Sequence, residues 1–184
     1  MREGDLFVDI GANVGTYTVL ASSIVGEKVC CFEPVPSTYD RLITNIRLNN
    51  FYDKVKALNL ALGHAAGEVC FTSDQNCMDH VIPNGEISKE TIIVNISTLD
   101  EILSDCPFLI KIDVEGYETS VLEGSIETLE NNKLCAVIME LNGSGDRYGK
   151  QESKILSMMT NYGFSTYSYS PFERKLINLQ GKNP

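Results

Sequence analysis

Leu6-Phe-Val-Asp-Ile-Gly-Ala-Asn-Val-Gly15 joins an apolar run directly to a glycine-rich segment. The apolar run predicts a buried strand, and the glycines predict a tight turn after it. Residues 16–25 follow with apolar side chains at Val19, Leu20 and Ile24, a spacing that fits a helix. This segment therefore predicts a strand, a turn and a helix, which together open an alternating α/β fold.

The alternation of strands and helices continues along the rest of the chain. A second buried strand is predicted at residues 28–32, and Ser37 is placed to cap a helix that runs to about Asn50. Further strands are predicted at residues 54–60, 68–72, 91–97, 108–113 and 134–139, and further helices at residues 98–103, 116–131 and 152–161. This order predicts a mostly parallel, twisted sheet with helices on its faces.

Two segments depart from the alternation. Residues 163–169 and 174–179 are extended and separated by a turn too short for a helical crossover, so we expect them to pair antiparallel. Residues 73–90 are polar and contain Pro83 and Gly85, which predicts a long loop of the kind that is often functional. The predicted fold class is α/β, with a parallel sheet and a C-terminal antiparallel hairpin.

Composition limits the number of domains and the class of partner. A chain of 184 residues that is 43% hydrophobic can bury one substantial core, so we expect a single domain over residues 1–184. The net charge of -10 disfavours binding to nucleic acid or to an anionic membrane, which leaves a small molecule or a non-acidic partner. No basic-then-apolar leader and no apolar stretch near the ~18 residues of a membrane span is present, so we expect a cytoplasmic protein.

Six cysteines are present, and none of them forms a CxxC pair. Cys30, Cys31 and Cys135 lie in apolar runs that predict strands. We therefore expect buried, reduced thiols rather than disulfides or zinc ligands.

Small residues and one carboxylate together predict a ligand site at the carboxyl edge of the sheet. In doubly wound sheets, ligands bind where the strand order reverses, which is normally beside the first strand, and Gly11 and Gly15 lie there. Glu33 closes the second strand 22 residues after Gly11 (33 minus 11), where an acidic side chain can accept both ribose hydroxyls. Each feature alone also fits a simple turn or a solvated strand end. Their combination predicts a nucleoside-containing ligand.

The glycine spacing separates the candidate nucleoside ligands. A dinucleotide fingerprint reads G-x-G-x-x-G, whereas this loop reads Gly11-Ala-Asn-Val-Gly15 and lacks the second and third glycines at that spacing. A pyrophosphate therefore fits poorly. No Gly-Lys-Ser/Thr follows the loop, which excludes a Walker-type phosphate loop.

Five segments resemble the FkbM-type methyltransferases. They are Val8-Asp-Ile-Gly-Ala-Asn-Val-Gly-Thr-Tyr-Thr18, Phe32-Glu-Pro34, residues 45–49, Ser97-Thr-Leu-Asp100 and Ile110-Lys-Ile-Asp-Val-Glu-Gly-Tyr-Glu118. The resemblance implies a Rossmann-like class I methyltransferase fold, S-adenosylmethionine as methyl donor, and usually transfer to a hydroxyl of a sugar or natural product. Such domains often carry extra helices upstream, so the chain is either naturally minimal or lacks an upstream segment.

The resemblance also implies which residues hold the cofactor. Asp9 and the glycine loop would lie near its methionine end, Glu33 would bind the ribose, and Ala61 would lie near the adenine. The full set of cofactor-binding candidates is Asp9, Gly11, Ala12, Asn13, Gly15, Thr18, Glu33, Pro34, Ala61 and Asp113.

Four acidic residues follow two strands that we expect to be neighbours; they are Asp113, Glu115, Glu118 and Glu140. Carboxylates there can bind the cofactor ammonium, act as a general base or hold a divalent metal. We expect Asp113 at the methionine or methyl end, Glu115 as the base toward an acceptor hydroxyl, and Glu118 as a helix cap. His80, in the long loop, is a third catalytic candidate. No ordered ligand spacing is present, so no metal site is predicted.

Three functions remain as alternatives. The first is a hydroxyl-directed methyltransferase whose partner is a small-molecule acceptor. The second is a non-catalytic methyltransferase-fold protein that binds the cofactor or a partner, and the third is a nicotinamide-dependent oxidoreductase. Because Asp9, Gly11, Glu33 and Asp113 are all intact and the dinucleotide glycines are missing, the sequence favours the enzyme that transfers methyl groups.

Overall fold

The computed structural model describes residues 1–25, 28–72, 81–82, 91–141, 145 and 152–179. In chain order, its elements are β1 (Phe7–Ile10), α1 (Thr16–Val25), β2 (Val29–Phe32), α2 (Pro36–Leu48), β3 (Val55–Leu58), β4 (Ala61–Leu62), β5 (Gly67–Thr72), β6 (Thr91–Ser97), α3 (Leu99–Ile102), β7 (Leu109–Ile112), α4 (Glu118–Glu123), α5 (Ile126–Glu130), β8 (Ala136–Met139), α6 (Glu152–Asn161), β9 (Tyr167–Ser170) and β10 (Lys175–Asn178).

The centre of the fold is a five-stranded sheet in the order β3-β2-β1-β7-β8, in which every neighbouring pair is parallel. Strands β1 and β2 are buried along their whole length, as expected for parallel strands covered on both faces. The strand order reverses at β1, which lies between β2 and β7. The predicted parallel sheet is therefore confirmed, and its switch point is beside the glycine loop.

A second sheet of three strands lies in the order β4-β6-β5. Strand β6 pairs parallel with β4 and antiparallel with β5. The expectation that residues 91–97 continue the main parallel sheet is therefore wrong. The reason is apolar packing: Phe71, Val94 and Ile96 form a cluster with Val35 and Ala61 that is separate from the main core.

The C-terminal hairpin is confirmed. Strands β9 and β10 pair antiparallel, with Lys175 opposite Ser170 and Asn178 opposite Tyr167. They form a two-stranded sheet of their own.

Two predicted helices differ from the observed ones. Helix α2 begins at Pro36 rather than after Ser37, because proline suits the first helical position. The single helix predicted at residues 116–131 is two helices, α4 and α5, separated at Gly124 and Ser125. Gly124 packs so closely on the Gly63 carbonyl that a Cβ there would lie 2.0 Å from that oxygen, and this contact turns the chain between the helices.

The larger core lies between one face of the main sheet and α4, α5 and α6. It contains Val8, Ile10, Ile110, Ile112, Val121, Leu122, Leu129 and Ile155. A smaller cluster on the other face contains Cys31, Leu42 and Ile46. No helix among the described residues is long and apolar enough to cross a membrane.

The cysteine predictions are confirmed only in part. Cys30 and Cys31 are buried and free, and burial raises the pKa of their thiols to about 11 and about 12. Cys135 is also free but exposed, so its predicted burial is wrong. It lies just before β8, which is an edge strand of the sheet. Cys77 lies outside the described residues.

Asp100, from the Ser97-Thr-Leu-Asp100 segment, caps helix α5. Its carboxylate accepts hydrogen bonds from the backbone N–H of Glu127 and Thr128 at 2.8 and 3.0 Å, and from the Thr128 hydroxyl at 2.6 Å. We expect Asp100→Ala to lower the free energy of unfolding by about 1–2 kcal/mol through loss of this cap. Urea unfolding tests this, with the exposed Asp53→Ala as the control. Equal stability of the two variants would contradict the capping role.

Candidate functional site

Three strand ends meet beside the switch point of the main sheet. Strands β1, β2 and β7 are adjacent and parallel, so their carboxyl ends lie at one edge. The register pairs Ile10 with Phe32 and with Ile112. The segments that follow these three residues carry most of the predicted site, and the fold brings them together as the sequence predicted.

The glycine loop packs directly against the end of β7. Gly11 has φ +74°, and a Cβ at this position would lie 1.9 Å from the carbonyl oxygen of Asp113. The N–H groups of Gly11 and Ala12 both donate to the Phe32 carbonyl, at 3.1 and 2.9 Å. Gly15 has φ +93° and faces Leu42. Only glycine combines this conformation and this proximity, so the loop is fixed by contacts with both neighbouring strands.

Glu33 is 6% exposed, and backbone N–H groups hold its carboxylate. Oε2 accepts from the N–H of Asn13 and Oε1 accepts from the N–H of Val35, both at 2.9 Å. A carboxylate offers about four acceptor sites, so these bonds orient the group and are compatible with additional hydroxyl donors. Glu33 thus links the glycine loop, through Asn13 at φ +50°, to the start of α2.

Two asparagines that the sequence reasoning did not assign support this arrangement. The Asn45 amide donates to the Val14 carbonyl at 2.7 Å and ties the glycine loop to α2. The Asn59 amide donates to the carbonyls of Glu33 and Pro34 at 2.9 and 2.8 Å. Asn45 opens one of the segments in the family resemblance, which was the available signal. Asn59 follows β3 and carried no signal of its own.

An apolar cavity opens beside this loop. Its lining is Ile10, Gly11, Phe32, Pro34, Leu60, Ala61, Leu62, Phe71, Val81, Val114 and Tyr117. Three of the predicted cofactor residues, Gly11, Pro34 and Ala61, therefore share one cavity next to Glu33. An apolar lining of this kind is typical of ligand pockets.

Asp9 is fully buried and is held from two sides. Its Oδ2 accepts from the hydroxyl of buried Thr18 at 2.7 Å, and its Oδ1 lies 3.3 Å from the ammonium of Lys111. Among the described residues, Oδ1 accepts no hydrogen bond. Asp9 and Thr18 were predicted as site residues, whereas Lys111 was given no role, although it lies in the Ile110–Glu118 segment of the family resemblance.

The turn after β7 presents the predicted catalytic carboxylates. Asp113 is half-buried, with its Oδ2 3.5 Å from the Lys111 ammonium. Glu115 has φ +51° and Gly116 has φ +95°, so two successive residues are left-handed. A non-glycine residue in this region is uncommon and is enriched at functional sites. The backbone therefore turns sharply at Glu115, two residues after Asp113.

Glu118 contacts the backbone of the Glu115-Gly116 turn. It is buried, and its Oε1 accepts from the N–H of Gly116 at 3.0 Å. Burial raises the pKa of the Glu118 carboxyl, while backbone N–H groups of Glu118, Gly116 and Val114 act in the opposite direction. Its expected role as a cap at the start of α4 agrees with this contact.

Other candidates lie at or beyond the edge of the site. Glu140 is exposed after β8, which is separated from β1 by β7. His64, one of the two histidines in the chain, was not a site candidate, and its Nδ1 lies 3.0 Å from the Ser120 hydroxyl. His80 lies outside the described residues, as does most of the 73–90 loop. Within the described part of the chain, no three His, Cys, Asp or Glu side chains are grouped as a metal site.

Comparisons of the sequence with known proteins match the chain to methyltransferases. The Methyltransferase FkbM domain matches residues 9–166. Hexuronic acid methyltransferase AglP from Haloferax volcanii is 30% identical over 163 residues, which cover 85% of this chain and 63% of AglP. The chain thus spans less than two thirds of the length of that relative.

Solved structures show the same fold at low identity. The methyltransferase FkbM from Methylobacillus flagellatus has a TM-score of 0.64 and 20% identity, over 86% of this chain and 38% of that chain. The N-terminal domain of human METTL16, in complex with SAH, has a TM-score of 0.51 and 12% identity, over 90% of this chain and 55% of that domain. Together with the observed sheet, these neighbours confirm a Rossmann-like methyltransferase fold.

Gly11→Ala tests the contact between the glycine loop and β7. The added Cβ would meet the Asp113 carbonyl, so we expect a loss of about 1–3 kcal/mol in unfolding free energy beyond the cost of the left-handed backbone. Gly163→Ala is the matched control, because Gly163 has φ +86° with no atom within 4 Å of its Cβ position. Chemical denaturation compares the two, and equal losses would contradict the close approach.

Glu118→Gln tests the burial of the carboxyl. Because its folded-state pKa is raised, the folded chain binds more protons than the unfolded chain between about pH 4.5 and that raised pKa, and stability falls as pH rises through this range. Glutamine does not ionise, so the melting temperature of the variant relative to wild type should increase across this pH range. Glu130→Gln, at an exposed position, should show no such trend. A pH-independent difference for Glu118→Gln would contradict the raised pKa.

Proposed function

The chain belongs to the FkbM methyltransferase family, and we propose that it is an S-adenosylmethionine-dependent enzyme that methylates a hydroxyl of a sugar or small natural product. One observation carries the proposal: the glycine loop, Glu33, the apolar cavity and Asp113 lie around one edge of the sheet, at the ends of β1, β2 and β7. These groups match the chemically different parts of this one cofactor.

The residues present fit that cofactor from end to end. The cavity beside Pro34 and Ala61 suits the adenine ring, and the oriented carboxylate of Glu33 suits the two ribose hydroxyls. The partly exposed carboxylate of Asp113, beside the Gly11 turn, suits the cationic methionine end, and buried Asp9 supports this end of the site through Lys111 and Thr18. Ala12, Asn13, Gly15 and Thr18 shape the loop between these parts.

The chemistry is a direct displacement. When bound, S-adenosylmethionine would supply an electrophilic methyl group for displacement by the acceptor oxygen, and its sulfur would keep the electron pair of the broken carbon–sulfur bond. The acceptor hydroxyl loses its proton, and we assign that proton to the Glu115 carboxylate. The rest of the protein contributes alignment in a site that excludes water.

The position of Glu115 supports this assignment. Its left-handed backbone places it between half-buried Asp113 and the N-terminus of α4, on the turn that Glu118 holds. Asp113 would lie at the methionine or methyl end of the cofactor. Glu115 would face the acceptor. His80 stays a candidate for an additional acceptor contact from the 73–90 loop.

The acceptor class is drawn from a relative. AglP is named for hexuronic acid, a sugar derivative, and is 30% identical to this chain. A sugar hydroxyl is therefore the first acceptor to test. A binding protein with the same fold would take up the cofactor without turnover, and a nicotinamide enzyme would bind NAD instead.

Titration calorimetry separates these functions. We expect S-adenosylmethionine to bind and NAD to give no signal. Glu33→Ala should weaken S-adenosylmethionine binding by roughly ten-fold or more, because hydrogen bonds to a charged group contribute about 1.5–3 kcal/mol. Glu130→Ala, exposed at the end of α5, is the control. Binding of NAD without S-adenosylmethionine would overturn the proposal.

Turnover with a labelled methyl donor tests the catalytic residue. Hydroxylated sugars, glycolipids and small natural products are screened first, and the best acceptor is then used with Glu115→Gln. We expect kcat to fall by about 10²–10⁴-fold, as for loss of a general base, while S-adenosylmethionine binding is kept. Unchanged turnover would remove Glu115 from the mechanism, and cofactor binding with no turnover on any acceptor would favour the binding protein.

A further inference from the structure

We propose that Lys111 is a positioning residue of the cofactor site: its buried ammonium fixes the glycine loop and the Asp113 carboxylate in the arrangement that binds the methionine end of the cofactor. The assignment rests on the proposed function, because the ligand is the one proposed there. It concerns a residue that lies within the Ile110–Glu118 segment but to which the sequence assigned no role.

The ammonium of Lys111 lies between three segments of the chain. Its side chain is 7% exposed, and Nζ donates to the Gly11 carbonyl at 2.8 Å. Asp9 Oδ1 lies 3.3 Å away and Asp113 Oδ2 lies 3.5 Å away. An ammonium has three protons, and here three oxygens surround it, one each from β1, the glycine loop and the turn after β7.

Stability alone does not explain a lysine at this position. Lysine is almost never fully buried unless paired, and well-packed apolar residues often replace a buried ion pair at no loss of stability. The neighbouring positions Ile110 and Ile112 show that β7 is otherwise apolar. The Tyr17 ring, 5.4 Å from Nζ, covers the ammonium from the first turn of α1.

The contacts of Lys111 explain what the charge does. Asp113 is 39% exposed and, without a partner, its carboxylate would sample several rotamers. The ion pair restrains it before the ligand arrives, and the bond to the Gly11 carbonyl restrains the loop at the same time. One lysine between two carboxylates also leaves a net negative charge, which favours a cationic ligand.

Lys111→Met is the first test, because methionine keeps the length of the side chain and removes the charge. We expect the Kd and the KM for S-adenosylmethionine to rise by roughly ten- to a hundred-fold, with kcat at saturation nearly unchanged. A purely structural role predicts the reverse: fewer active molecules, hence a lower kcat and an unchanged KM. Lys154→Met, which removes a surface ion pair with Glu123, is the matched control and should change neither.

A second variant covers the case in which Lys111→Met fails to fold. Asp9 would then be a buried carboxylate without its counter-charge, so Asp9→Asn is combined with Lys111→Met and compared with Asp9→Asn alone. If Lys111 acts through Gly11 and Asp113, the double variant should bind S-adenosylmethionine at least about ten-fold more weakly than Asp9→Asn. Equal affinities would overturn the assignment.

The outcomes for this inference and for the proposed function are distinct. Wild-type protein that binds no S-adenosylmethionine overturns the proposed function, and the assignment of Lys111 with it. Wild-type protein that binds the cofactor, together with a folded Lys111→Met that binds it equally well, overturns the assignment alone.

Discussion

The close approach of Gly11 to the Asp113 carbonyl is the constraint on which the site depends. A Cβ at Gly11 would lie 1.9 Å from that oxygen, so the loop after β1 reaches the end of β7 only because it begins with glycine. This contact brings the ends of β1 and β7 together at the switch point of the sheet. Lys111 spans the same junction, because its ammonium donates to the Gly11 carbonyl and lies 3.5 Å from the Asp113 carboxylate.

Glu33 provides the corresponding link on the other side of β1. Its carboxylate binds the N–H groups of Asn13 and Val35, so one side chain orients the glycine loop and the entry to α2. A residue predicted only as a ligand for ribose is therefore also part of the loop's own structure. The two roles are compatible, because preorganised acceptors lose little freedom when a ligand binds.

Sequence reasoning succeeded where a signal is local. The strand before Gly11, the strand before Glu33 and the C-terminal antiparallel hairpin all belong to short segments with their own sequence pattern. It failed where the role comes from distant partners. Lys111 lies in a recognised segment, but its contact with a carbonyl 100 positions away could not be read from that segment. The single helix predicted at residues 116–131 is two helices, and Gly124 between them packs closely on the Gly63 carbonyl. No periodicity in one segment reports such a contact.

Several departures from the usual rules of stability lie in β1 and in the turn after β7. Asp9 is a buried carboxylate with one oxygen that accepts no hydrogen bond among the described residues, Glu115 has a left-handed backbone, and Glu118 is a buried acid with a raised pKa. The apolar core clusters around Val8 and Ile110 stabilise the sheet without any of these groups. Costly features of this kind are enriched where proteins bind or react, so their presence beside β1 and β7 supports the proposal that the site lies there.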